Sequence, residues 1–422
     1  MADMNRAAIG RRMVLAGGAA LAAPAIGARA ANRAIKIGIV SPITGPLAAF
    51  GEADAFVLGQ VRQATAAGIT VAGELYPVQV IERDSQSNPS RAADVAADLI
   101  LGDKVDLLLG SSTPDTTNPV ADQAEVNEVP CITTDCPWQA YFFGRKGDPR
   151  QGFDWTYHFF WGLEDVIAAY TAMWDTVPTN KVVGGLFPND ADGNAWADAQ
   201  FGFPAAMPKA GYRLVDTGRF QPMAADFTAQ ITAFKRAGCE IVVGALVPPD
   251  FATFWSQARQ QGFRPKIATI GKALLFPSVL QALGAQGDGL STEVWWTPGH
   301  PFKSSLTGQG AGELCAAFTA STGRPWTQPL GFKHALFEVA LDALKRSRKL
   351  DAASIRDAIR ATDLATVAGP VKWTGQPVPN VSKTPLVAGQ WRRRSDNGFD
   401  LVVTENATAP NIATGGALQS LS

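Results

Sequence analysis

The chain is expected to fold as an α/β protein with two doubly wound lobes, on three observations. Its 422 residues are more than one hydrophobic core commonly organises. Its apolar runs are short, rich in β-branched residues and continuous rather than alternating, which is how parallel strands buried on both faces read. Those runs take turns with amphipathic stretches, the order of a doubly wound sheet.

The strand candidates, in chain order, are Ile35–Val40, Val78–Asp84, Val105–Gly110, Cys131–Thr134, Lys181–Phe187, Ile241–Val247 and Lys266–Ile270. Helices are expected between them. Asn88-Pro89 opens one as cap and first-turn proline, Ala92, Val95, Ala96, Leu99 and Ile100 share a face, and Gly102 ends it. Asp226 caps another, with Phe227, Ile231 and Phe234 inward and Gly238 as its stop. One unit occurs twice: a helix, a strand and a loop that opens a new helix at a proline and an aspartate, ending in Pro114-Asp115 and again in Pro248-Pro249-Asp250. Two such lobes would face each other across a cleft, with ligands at the carboxyl ends of the strands.

Composition narrows the function. Charged residues make up 18% and the net charge is -1, with no block of like charge to suit nucleic acid. No apolar run after residue 31 is long enough to span a bilayer. Residues 1–30 read as a signal peptide: Arg11-Arg12 precede a mild apolar stretch, and Ala28-Arg29-Ala30 forms the cleavage site. The arginine pair is the twin-arginine export pattern, so the periplasm is the expected compartment. Cys131 and Cys136 are near enough in sequence to pair or to remain buried thiols. No C-x-x-C, G-x-S-x-G, Walker A or G-x-G-x-x-G occurs; Gly271-Lys272 lacks both the earlier glycine and the following Ser/Thr of a P-loop. Neither an enzyme nor a metal or other cofactor is expected.

Several segments together resemble the branched-chain amino acid binding proteins, the Leu/Ile/Val-type periplasmic receptors of ABC importers. They are Ile35–Val40 with the loop Ser41-Pro42-Ile43-Thr44-Gly45-Pro46 and the helix start Ala49-Phe50-Gly51; Arg83–Pro89; Gly110–Asp122 with Val129–Thr134; and Gly369–Trp373. The resemblance covers nearly all of residues 34–394. It implies a type I periplasmic binding fold, with lobe 1 at 34–157 plus 295–368 and lobe 2 at 160–292 plus 372–422. Three hinge crossovers are then expected near Tyr157–Phe160, Thr292–Val294 and Gly369–Val371. It also implies a small-molecule ligand, carboxylate or amino-acid-like, aromatic ones included, and ABC permease subunits as partners.

The resemblance places the ligand-binding residues on the cleft loops: Phe50 and Gly51; Thr113, Asp115 and Thr116, with Thr117 beside them; Thr134, Asp135, Cys136 and Trp138; Asn189, Asp192 and Asn194; Pro248 and Asp250; and Lys272 and Trp295. Pro114 stands where the family commonly has a ligand-binding serine. Lys272 stands where its amino acid binders carry the acid that pairs with the ligand's ammonium. Together with free N–H groups at the helix start near Asp115, this predicts a ligand that carries a negative group and needs no ammonium, against which stand Asp115 and Asp135, either of which could instead receive a cation. Trp138, Trp161 and Trp196 serve either the core or the ligand. Of Trp295 and Trp296, neighbours on one strand, one is expected to face the cleft and the other the core. Asp84 and His334 are read as structural.

Overall fold

The computed structural model describes residues 33–421. The expected signal peptide, with Arg11-Arg12 and its cleavage site, lies outside the described residues. Two sheets organise the rest. The first has six strands in the order Val381–Ser382, Thr156–Phe159, Cys131–Thr134, Leu107–Ser111, Ile35–Ser41 and Val78–Asp84, all parallel. The second has seven, in the order Phe399–Glu405, Val387–Arg393, Ser291–Val294, Ile267–Lys272, Ile241–Leu246, Val182–Pro188 and Arg213–Phe220. Val387–Arg393 runs antiparallel to both of its neighbours; the other neighbouring pairs are parallel.

The central strands form where continuous apolar runs can be covered on both faces. Leu107, Leu108 and Leu109 are fully buried: Leu108 packs with Ala92, Val95, Leu99 and Val120, while Leu107 and Leu109 face the opposite cluster with Ile37 and Ile39. Ile241, Val242 and Val243 divide in the same way in the second lobe, where Val242 meets Leu186, Phe234 and Phe254. Asn88 caps the Pro89–Ala97 helix by accepting from Arg91 N–H at 2.9 Å. Asp226 turns the chain into the Thr228–Ala237 helix, which Gly238 ends in the left-handed conformation at φ +68°. Both repeated loops open helices at proline, Pro114–Val126 and Pro248–Gln260.

The chain passes between the sheets three times. After Thr156–Phe159 it enters the Leu163–Trp174 helix, which packs on the second sheet, and after Ser291–Val294 it returns. The third passage differs from expectation. Gly369–Lys372 pairs with Asp363–Thr366 in a hairpin, and Val381–Ser382 still pairs with His158 and Phe159 in the first sheet. The chain therefore changes sheet between Ser382 and Val387, not at Gly369–Val371. Residues 372–382 belong with the first lobe because Val381 closes its sheet edge, packed with Tyr141 and Phe142.

All four cysteines are free and buried, so Cys131 and Cys136 are separate thiols. Asp84 acts as a staple, its carboxylate accepting from Ile43 N–H, Thr44 N–H and hydroxyl, and Gln86 N–H. His334 is fully buried with Nε2 2.7 Å from Ser304 Oγ.

Candidate functional site

The carboxyl ends of the two sheets face one another across a closed cleft. Between them lies a cavity of about 10 Å³ lined by Phe50, Thr113, Asp135, Pro137, Phe160, Trp161, Asp192, Trp196, Lys272, Glu293 and Trp295. The rings form a continuous wall. Phe160 meets Trp295 edge-on with centroids 4.7 Å apart, Trp161 lies 4.8 Å from Phe160, and Phe50 lies 6.3 Å from Trp295. Trp196 is fixed from behind by stacking on Phe203 at 5.1 Å.

The polar groups are placed by strand ends. Asp135 follows Cys131–Thr134 and sits at φ +74°, a left-handed conformation that aspartate tolerates. Its Oδ2 accepts from Ser111 Oγ–H, while Oδ1 has no hydrogen-bond partner. Burial pushes its pKa up to about 7. Lys272 ends Ile267–Lys272 at φ +60°, a conformation that costs a lysine energy and is held by its surroundings. Its Nζ is 3.1 Å from Asp190 Oδ2 and 2.8 Å from Asp192 Oδ2. Burial disfavours the ammonium, but Asp190 and Asp192 outweigh it and hold its pKa above the ordinary lysine range. Asp192 is itself raised to about 7 by burial, and its Oδ1 has no partner. Glu293 takes hydrogen bonds from Tyr170 Oη–H, Thr292 Oγ1–H at 3.1 Å and Lys272 N–H at 3.3 Å, and burial raises its pKa. Behind Asp135, Lys333 is committed to Asp54 Oδ1 at 2.8 Å and Ser41 Oγ at 2.9 Å.

Of the sequence-derived candidates, Phe50, Thr113, Asp135, Asp192, Lys272 and Trp295 line this cavity, together with Trp161 and Trp196. Asp115 and Asn189 line a wider hollow of about 260 Å³ at the cleft mouth, which Lys272 also borders. Pro248 lies at an apolar rim opposite Ala48 and Ala49. The remaining candidates do not reach the cavity, each for a local reason. Gly51 packs under Pro42 and Asp54. Thr116 Oγ1 turns back to Thr113 O at 3.5 Å, and Thr134 Oγ1 donates to Phe159 O at 2.7 Å. Cys136 is buried beneath His158, its Sγ 3.9 Å from Nε2. Trp138 Nε1 donates to Glu164 Oε1 at 3.1 Å. Asn194 Nδ2 donates to Asn189 Oδ1 at 3.4 Å, and Asp250 Oδ1 accepts from Ala224 N–H at 2.9 Å. Trp296 faces the core, its Nε1 donating to Val367 O at 3.0 Å.

Two parts of the expected anion site are corrected. Lys272 is not a free positive charge, because two carboxylates already hold it. The N–H groups of Thr116 and Thr117 are not free either, since both donate to Thr113 O, at 3.1 and 3.0 Å.

Sequence reading missed Pro137, Phe160 and Glu293. The available signal for Glu293 was a lone acid in the otherwise uncharged run Ser291-Thr292-Glu293-Val294-Trp295-Trp296.

Two α/β lobes, linked by three passages and closed on an aromatic-walled cavity, define a cleft-binding protein of the type I periplasmic binding fold. The chain belongs to the periplasmic binding protein family, whose model matches residues 34–394. It is 28% identical over 287 residues to a protein of Brucella melitensis called Leu/Ile/Val-binding protein homolog 3, a match covering 64% of this chain and 66% of that relative. Its structure is similar to that of the leucine-binding protein LivK of Thermotoga maritima, with a TM-score of 0.70 and 21% identity over 88% of this chain and 99% of the other. It is also similar to a solute-binding protein of an ABC transporter from Rhodopseudomonas palustris, solved with 4-hydroxybenzoate. There the TM-score is 0.71 and the identity 16%, over 92% and 98% of the two chains.

Proposed function

We propose that this chain is an extracytoplasmic solute-binding protein that captures one small molecule between its lobes and delivers it to the permease subunits of an ABC importer. The observation that carries this reading is the cavity itself. It is closed by both lobes, walled by aromatic rings, and supplied with buried polar atoms that have no protein partner: Asp135 Oδ1, Asp192 Oδ1, Thr113 Oγ1, Trp161 Nε1 and Trp295 Nε1. Buried polar groups ordinarily find partners, so such a set marks a place for a ligand or water. The family likeness supports a small-molecule solute. The site is read as a binding site without catalysis, and export as following the twin-arginine route through Arg11-Arg12.

The test is a thermal-shift screen against amino acids, amines, small organic acids and amides, followed by small-angle scattering with each binder. A ligand that contacts both lobes only when they are closed shifts the population to the closed form. A saturating binder should reduce the radius of gyration; unchanged scattering with every binder would refute the clamp.

A further inference from the structure

The charges around the cavity are unbalanced. Its lining holds three carboxyl groups, Asp135, Asp192 and Glu293, against the single ammonium of Lys272, and it contains no arginine or histidine. Asp190 adds a fourth carboxylate within 3.1 Å of that ammonium, and Asp115 approaches from the other lobe. Lys272 is thus fully engaged by Asp190 and Asp192, and Lys333 is engaged by Asp54. Neither lysine has a charge to spare for an anion, and the helix start that would assist one has Thr116 and Thr117 N–H bonded within the helix.

The unpartnered oxygens point to the opposite preference. Asp135 and Asp192 are 3% and 4% exposed, both line the cavity, and each keeps one carboxyl oxygen without a hydrogen bond. Around them stand Phe50, Phe160, Trp161, Trp196 and Trp295. The faces of such rings attract cations, most strongly where water is excluded. Carboxyl oxygens inside an aromatic wall are the chemistry that recognises an organic ammonium. The unpartnered indole N–H groups of Trp161 and Trp295 would accommodate one neutral oxygen on the same molecule.

Resting on the solute-binding reading above, we propose that this cavity selects its solute by a positively charged head seated between Asp135, Asp192 and the aromatic wall, and that a carboxylate on the solute is dispensable. The ligand class is a small organic ammonium, with or without a hydroxyl or carbonyl oxygen.

Calorimetry with matched triads tests it. One triad is isopentylamine, leucine and 4-methylpentanoate; a second is phenethylamine, phenylalanine and 3-phenylpropanoate; and choline is paired with its uncharged isostere 3,3-dimethylbutan-1-ol. In at least one set the cation should bind about tenfold or more tightly than its uncharged or anionic counterpart, and no worse than the amino acid. At pH 8, where Asp135 is ionised, Asp135→Asn keeps shape and removes charge, and should weaken the cation about tenfold and leave the uncharged isostere unaffected; Glu293→Gln provides a second variant should the first not fold. A tighter plain acid, a tighter isostere, or no binding by any cation at millimolar concentration overturns the proposal. If an acid or neutral solute binds and closes the lobes in scattering, only the cation preference falls. If no solute of any charge closes them, the solute-binding reading falls with it.

Discussion

Asp115 and Ala191 join the two lobes by a hydrogen bond across the cleft mouth: Ala191 N–H donates to Asp115 Oδ1 at 3.1 Å. The same approach brings the Asp115 carboxylate toward Asp190, and its pKa rises through burial first and Asp190 second. Closure therefore gains a hydrogen bond and incurs a repulsion at one residue.

Substitutions at Asp115 should separate those two effects. Asp115→Ala removes the acceptor and should weaken solute binding by about 1–2 kcal/mol, roughly five- to thirtyfold, because the closed form alone uses the bond. Asp115→Asn retains an oxygen for Ala191 and removes the repulsion, so it should bind at least as tightly as the wild type. Titration calorimetry with any solute identified by the screen decides this; an alanine variant with wild-type affinity would show that the contact carries no closing energy.

Lys272→Met should destabilise the unliganded protein strongly. It leaves Asp190 and Asp192 facing each other in a buried site without their shared cation, a loss of about 3–5 kcal/mol. Protonating one carboxylate relieves that repulsion, so the deficit should be larger at pH 8 than at pH 6. Urea unfolding at both pH values measures it. A variant as stable as wild type at pH 8 would mean the pair of ion contacts contributes nothing.

The elements that were legible in the sequence are those whose apolar runs are continuous. Val78–Asp84 and Cys131–Thr134 match their expected bounds, and Ile241–Leu246 ends one residue early. Among the strands that went unread are Thr156–Phe159, Arg213–Phe220, Ser291–Val294 and the antiparallel pair Val387–Arg393 and Phe399–Glu405. Arg213–Phe220 is an edge strand with Asp216, Thr217 and Gly218 exposed, so burial leaves little imprint on it. Thr156–Phe159 hides a histidine and a threonine among aromatics that are buried by tertiary contacts alone. The third crossover was misplaced because Val381–Ser382 is too short for any periodic signal, yet it decides which lobe the segment joins. At the site, aromatic residues next to strand ends could be picked out from order along the chain. What Lys272 faces could not, since its partners Asp190 and Asp192 lie 82 and 80 positions away and meet it only through the pairing of sheet ends.

His158 should make the protein sensitive to acid. Its ring is fully buried, with Nε2 2.8 Å from Cys136 O and Nδ1 2.9 Å from Thr133 Oγ1, and burial lowers its pKa to about 3. The unfolded chain takes up a proton at this residue below about pH 6.5, while the folded chain does so only near pH 3. Stability from the neutral ring is complete above pH 6.5 and falls as the pH drops, by up to about 1.4 kcal/mol per unit. Asp135 and Asp192, raised to about 7, act in the opposite sense: they hold protons in the fold that the unfolded chain has lost, and they contribute most at low pH. Their trend masks the histidine in the wild type, so the comparison must be made with His158→Gln. The stability gap between wild type and variant in urea unfolding should narrow from pH 7 to pH 5; a gap independent of pH would show that His158 is not held neutral.

Gly271 lies against the cavity-lining residues Glu293 and Trp196, and a methyl group there should damage binding more than folding. A Cβ at this position would lie 3.0 Å from Glu293 Oε2, 3.1 Å from Oε1 and 3.0 Å from the Trp196 ring. Contacts of that length force neighbours to yield by a few tenths of an ångström, and these neighbours have little freedom. Glu293 is tied to Tyr170, Thr292 and Lys272 N–H, and Trp196 is backed by Phe203. The displacement must therefore go inward, into the small cavity that both residues line. Gly271→Ala should lower unfolding stability by about 1–3 kcal/mol, as overpacking commonly does. Affinity should fall about tenfold or more, because Glu293 and Trp196 both line the cavity and both move. Calorimetry with the best-binding solute, alongside melting of the unliganded variant, separates the two losses. An alanine variant that melts lower yet binds with wild-type affinity would show that Glu293 and Trp196 give way outward and that the solute does not rest against them.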